Sequence, residues 1–274
     1  MKTVTGYLNF VASLATPTDV DRARASRHRS AIERRLKDDL GVFYIFETGS
    51  WSHGTAASPW SDVDYFASMP GVRPPTSAGD LERIRAVLDL EFPDVHVHVD
   101  RPVVKLTFPD GPHVEIAPAH YVGDDDYDIP DPTGTGWRRS SPTKHKEYVN
   151  ESKRQVPQTK RFVRLLKEWK HKQHVPISSL YLEMRAAKHV RDNKPWIDVY
   201  DFAWFFRDLE KNDIADMNDP TRFDGRRIVA VGDSQRGVAR ESVRIAAGVT
   251  KLALECHENG NEALAVEAME ILFA

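Results

Sequence analysis

Residues 45–66, IFETGSWSHGTAASPWSDVDYF, decide the fold. They open at the end of a β-branched and aromatic run, VFYIFE at 42–47, which has the composition of a short buried strand. Gly49-Ser50 follows as a turn, and Asp62-Val63-Asp64-Tyr65-Phe66 reads as a second strand entered through Pro59 and Ser61. Side chains two apart on a strand share a face, so Asp62 and Asp64 project together. Neighbouring carboxylates repel, and a buried pair is costly unless positive charge lies between them. Hard oxygen ligands of this kind suit Mg²⁺, which shares its coordination shell with substrate phosphates. Gly49 lets backbone come close to a phosphate, and the Ser50 hydroxyl and nearby amides are fit to bind its oxygens.

A site with two metal ions normally needs a third carboxylate. Glu115 is the candidate: it stands alone among apolar residues on the expected strand His113–Ala117. Around this kernel the pattern is mixed. A helix is expected from about Thr16 to Leu40, another over 81–91, and strands at 95–99, 103–108 and 114–117. From about residue 143 the apolar spacing is helical throughout: Phe162, Leu165, Leu166 and Trp169, then Leu180, Met184 and Ala187, then Val199, Phe202, Phe206 and Leu209. Two more helices cover roughly 236–258 and 261–273. The acidic stretch Asp124, Asp125, Asp126, Asp128 and Asp131 reads as a solvated connection, Trp137 as packing, and Ser178 and Ser179 as candidates for a helix cap.

The 274 residues carry 38 Lys and Arg against 41 Asp and Glu, close to neutral overall. The charge is segregated, however. Residues 137–172 hold twelve Lys and Arg against three Glu, which leaves 26 against 38 elsewhere. Such a stretch suits an anionic substrate or a polyanion. A single cysteine, Cys256, excludes a disulfide framework and a multi-cysteine zinc site. No apolar run approaches the roughly 18 residues of a membrane span, and residues 1–15 lack the signal-peptide pattern. A cytoplasmic protein with no membrane partner is expected.

The order and spacing of GSWSHGT (49–55), SDVD (61–64), VEIAPA (114–119), GWRRSSPTKH (136–145), RFVRLLKEW (161–169), SSLYLE (178–183) and NDP (218–220) resemble the polymerase-β-like nucleotidyltransferases. More closely, the chain resembles the bacterial CD-NTases, relatives of cyclic GMP-AMP synthase and oligoadenylate synthase. The resemblance implies a two-lobed α/β (α+β) fold with a mixed sheet core and a C-terminal helical lobe. It implies an N-terminal bracing helix over 1–40, a catalytic core over 41–135 and a helical lobe over 136–274 that completes the nucleotide pocket. It implies that Asp62, Asp64 and Glu115 are catalytic and hold two Mg²⁺ ions, for which Mn²⁺ substitutes. It assigns Gly49, Ser50, Lys167 and Ser179 to the donor triphosphate and Arg138 to the nucleobase. An aromatic commonly follows the position of Ser179; here Leu180 does, with Tyr181 one further on.

The implied activity is synthesis of a cyclic di- or trinucleotide second messenger from nucleoside triphosphates, ATP among them, in antiphage signalling. An activating partner protein or polyanion, and a downstream effector that binds the product, are the implied partners. Alternatives are a linear-oligonucleotide synthase, a nucleotide-to-small-molecule transferase, or a non-catalytic nucleotide- or nucleic-acid-binding regulator on this fold.

Overall fold

The computed structural model describes residues 3–222 and 226–274. The chain forms two compact units: Pro17–Lys146, and Met1–Thr16 with Glu147–Ala274. The expected mixed sheet and helical C-terminal region are both found, each with its own apolar core.

The N-terminal segment holds two helices, α1 (Val4–Leu14) and α2 (Asp19–Leu40). Thr18 caps α2 in a reciprocal capping box with Asp21, and Gly41 ends it in the left-handed conformation. In the sheet unit follow β1 (Ile45–Glu47), α3 (Gly49–His53), β2 (Val63–Ser68), α4 (Ala78–Glu91), β3 (His96–Asp100), β4 (Val103–Thr107), β5 (Val114–Gly123), β6 (Asp126–Pro130) and β7 (Trp137–Ser140). Five strands run in the order β1-β2-β5-β4-β3, and β6 joins β5 to β7. Among the described residues only the β2–β5 pairing is parallel.

Alternation sorts the sheet's two faces. Val63 and Tyr65 of β2, Val114 and Ile116 of β5, and Val104 and Leu106 of β4 are all buried. They share a core with Ala25, Ile32 and Leu36 of α2 and Leu81, Ile84 and Leu88 of α4. Each such aliphatic side chain contributes about 1.5–3 kcal/mol when fully buried. The residues between them, Asp64, Glu115 and Lys105, are thereby committed to the opposite face.

The acidic stretch is not the solvated connection expected of it. Asp124 and Asp125 form the turn, with positive φ angles, and Asp126–Pro130 is a strand. Asp126 is buried and accepts hydrogen bonds from Ser141 Oγ (2.6 Å) and Lys144 Nζ (3.1 Å). Asp128 pairs with Arg139 and Arg73. Replacing Asp126 with Ala removes a buried acceptor from Ser141 and Lys144, and is expected to cost about 1–3 kcal/mol. Chemical denaturation of Asp126→Ala against wild type measures this.

The helical unit contains α1 together with α5 (Pro142–Gln155), α6 (Thr159–Lys172), α7 (Ser179–Asp192), α8 (Asp198–Lys211), a two-residue ladder of β8 (Met217–Asn218) and β9 (Arg227–Ile228), α9 (Arg236–Glu258) and α10 (Glu262–Leu272). The α5 helix begins in the sheet unit and ends here. The aromatics read as core from their spacing are core: Phe162, Trp169, Phe202 and Phe206 are all buried and meet largely edge to face. Among the described residues no helix is long and apolar enough to cross a membrane.

Candidate active site

The β2–β5 register sets Asp64 opposite Glu115, and the β5–β4 register sets Glu115 opposite Lys105. One row across three strands therefore reads Asp64, Glu115, Lys105. Asp62 lies just ahead of β2. Lys105 Nζ donates to Asp62 Oδ2 at 2.6 Å and to Glu115 Oε1 at 3.2 Å. The expected trio is thus brought to one face, with an ammonium between two of its members.

Burial acts first on Glu115, and the hydrogen bond and charge of Asp62 add to it. Together they push its carboxyl up to about 7 against the opposing pull of Lys105. Burial acts to lower Lys105, but its bonds to Asp62 and Glu115 outweigh this and hold the ammonium above its ordinary value.

Gly49 opens α3, where a plain turn was expected, and its φ is +56°. A Cβ at this position would lie 2.0 Å from Asp64 Oδ2. The Thr48 amide donates to the Asp64 carbonyl at 2.8 Å, which fixes the approach. Ser50 is half-buried, and its carbonyl accepts from the Thr55 amide at 2.8 Å. Gly49 and Ser50 therefore sit directly beside the carboxylate row.

Among the described residues no three His, Cys, Asp or Glu side chains converge as a ready metal cage. The donor set nonetheless suits a hard divalent cation: Asp62 and Glu115 already share one cationic group, and Asp64 stands opposite Glu115 in the sheet register. The Asp64 carboxylate lies where a side chain at Gly49 would begin, so only glycine lets the start of α3 pass this close to it.

Arg138 is exposed on β7 of the same unit, in register with Ile129. Trp137 beside it is packing, as expected, with its indole N–H on the Pro74 carbonyl at 2.8 Å.

Lys167 and Ser179 belong to the helical unit. Lys167 is 1% exposed, and its ammonium donates to Glu183 Oε2 at 2.8 Å. Ser178 caps α7 by accepting from the Tyr181 amide, so the cap is Ser178 and not Ser179. The Ser179 hydroxyl accepts from Lys170 Nζ at 2.8 Å. Burial, and secondarily the charge of Lys167, hold the Lys170 ammonium below its ordinary value. Tyr181 is wholly buried and donates to the Ala215 carbonyl at 3.0 Å, so its ring belongs to the core.

Lys105 and Lys170 are absent from the sequence expectations. Lys105 was findable: Val104 and Leu106 flank it, and this alternation turns it to the face opposite the core. Lys170 carried no comparable signal. The basic stretch is also less bare than its linear count suggests. Arg139 pairs with Asp128, Lys144 with Asp126, Arg161 with Asp198, and Arg154 with Glu151.

The sequence profile of the Second Messenger Oligonucleotide or Dinucleotide Synthetase domain matches residues 1–152. No curated protein sequence matches the chain significantly. Among solved structures, CdnC of E. coli MS115-1 with ATP is 19% identical, with a TM-score of 0.79 over 99% of this chain and 97% of that one. The same strain's CdnC:HORMA-deltaN complex gives 18% and 0.78, over 99% and 96%. Vibrio cholerae DncV cyclic AMP-GMP synthase, in complex with the linear intermediate 5′ pppA(3′,5′)pG, gives 11% and 0.74 over 96% and 92%. At these identities the likeness to the solved structures is one of fold.

Proposed function

We propose, from the premise that the chain belongs to the Second Messenger Oligonucleotide or Dinucleotide Synthetase domain family, that it joins nucleoside triphosphates, ATP among them, into a cyclic di- or trinucleotide. The observation that carries this reading is the row Asp64–Glu115 with Asp62 beside it, bordered by Gly49 and Ser50. Two Mg²⁺ ions, or Mn²⁺ in their place, held by Asp62, Asp64 and Glu115, supply Lewis-acid stabilisation of phosphate charge.

The chain's own residues do the rest. Gly49 and Ser50 receive the donor triphosphate at the start of α3. Glu115 takes the proton released by the attacking ribose hydroxyl. A bond forms from that oxygen to the α-phosphorus, the bond to the bridging oxygen breaks, and pyrophosphate leaves. Lys167 and Ser179 are the helical unit's candidates for the charge that accumulates on the leaving group, as the family resemblance implies, and Arg138 is the candidate for a base. A second transfer closes the ring.

The messenger serves antiphage signalling in the cytoplasm, through an effector that binds it. That the E. coli relative has been solved with HORMA-deltaN supports an activating protein partner for this chain.

Purified protein incubated with Mg²⁺ and the four labelled triphosphates is expected to give a phosphatase-resistant product. Asp62→Ala/Asp64→Ala should lower its yield by roughly a thousandfold, as loss of several kcal/mol of charge stabilisation implies. A folded wild type yielding only phosphatase-sensitive ends, or a double variant as active as wild type, would overturn the reading.

A further inference from the structure

Lys105 is the one member of the cross-strand row that the proposed chemistry does not use. It is held by geometry from two sides. The β4–β5 register places it opposite Glu115, and its ammonium reaches past that residue to Asp62. Its side chain is 23% exposed, as is that of Asp62, and that of Glu115 is 26% exposed, so all three remain open to solvent and to an incoming ion. Opposite charges facing each other across strands stabilise a sheet, and like charges destabilise it. Without Lys105, Asp62 and Glu115 would face one another with no positive group bonded to them.

We propose that Lys105 is a positioning residue that acts as a built-in cation: it holds Asp62 and Glu115 together in the metal-free protein and competes with a divalent ion for them. This rests on the reading of Asp62, Asp64 and Glu115 as the metal-binding trio. Two consequences follow from simple linkage. Anything that stabilises the metal-free state weakens apparent metal affinity. Removing the ammonium therefore destabilises the metal-free protein and tightens metal binding at the same time. A structural ion pair with no relation to the metal would show the first effect without the second.

The test is Mn²⁺ binding by calorimetry and thermal melting in EDTA, on full-length wild type, Lys105→Met and Lys105→Arg. Lys105→Met is expected to bind Mn²⁺ about tenfold more tightly, the loss of one charge-assisted hydrogen-bonded pair. It should melt lower in EDTA and recover toward wild type at saturating Mn²⁺. Lys105→Arg, which keeps the charge, should bind no more tightly than wild type. Should Lys105→Met not fold without metal, Lys105→Gln keeps a hydrogen-bonding amide and is read in the same way. Unchanged or weaker Mn²⁺ binding in the uncharged variants, with wild type binding normally, overturns the role of Lys105 alone. Wild type that binds no Mn²⁺, or binds it equally with Asp62→Ala/Asp64→Ala, overturns the metal-site reading itself.

Discussion

Gly49→Ala is expected to abolish nucleotidyl transfer, by about a hundredfold or more, while leaving the protein folded. Two independent effects converge at this position. The backbone is left-handed, which costs a residue with a side chain about 1–3 kcal/mol. The new Cβ would also meet Asp64 Oδ2 at 2.0 Å, far inside contact distance. Either the start of α3 or the Asp64 carboxylate must shift by about an ångström. Misplacements of that size cost on the order of a hundredfold in rate. Gly79, in the first turn of α4, is the control: a Cβ there meets nothing within 4 Å. Gly79→Ala should keep full activity. Product formation by both variants, with circular dichroism to confirm folding, decides the matter. A Gly49→Ala protein as active as wild type would remove Gly49 from the site.

The second large effect is expected in the helical unit. Lys167 and Glu183 are side chains 2% and 4% exposed, paired at 2.8 Å. Removing Lys167 takes this ion pair away from a buried carboxylate, so Lys167→Met should lower stability by about 3–5 kcal/mol. Replacing both, as Lys167→Met/Glu183→Met, should recover most of that loss, because the buried charge that the pair offset is removed with it. The double variant also separates two roles for Lys167. If it only braces the unit, a stable double variant regains activity; if it also meets the triphosphate, as proposed, activity stays low. Denaturant melts of the two single variants and the double, followed by product assays, give both answers.

How much of this was legible beforehand differs residue by residue. Asp62 and Asp64 declare themselves because a strand repeats every two residues, so their shared face needs no tertiary information. Glu115 could be nominated from its apolar neighbours, but its pairing with Asp64 is a parallel register between strands half a hundred residues apart. Local periodicity does not encode such a register. The acidic stretch misled because five carboxylates outweighed the alternating Tyr127 and Ile129, which are buried. The partners Ser141 and Lys144 that make Asp126 tolerable come from beyond β7. The helix expected from the residues begins only at about Thr16, although Val4, Leu8 and Val11 of α1 repeat at helical spacing and are buried. Lys167 was placed on a helix correctly, yet its spacing gave no sign of Glu183, which is on α7.

Among the described residues, the two largest apolar cores share no residue: one lies under the sheet with α2 and α4, the other among α1 and the helices from α5 onward. Each is large enough to melt as its own cooperative block. Heating is therefore expected to produce two calorimetric transitions. Asp126→Ala and Gly49→Ala would move one of them and Lys167→Met the other. A metal ion seated at Asp62, Asp64 and Glu115 would raise the sheet unit's transition by mass action, so the calorimeter would report which block a ligand has found before any product is made.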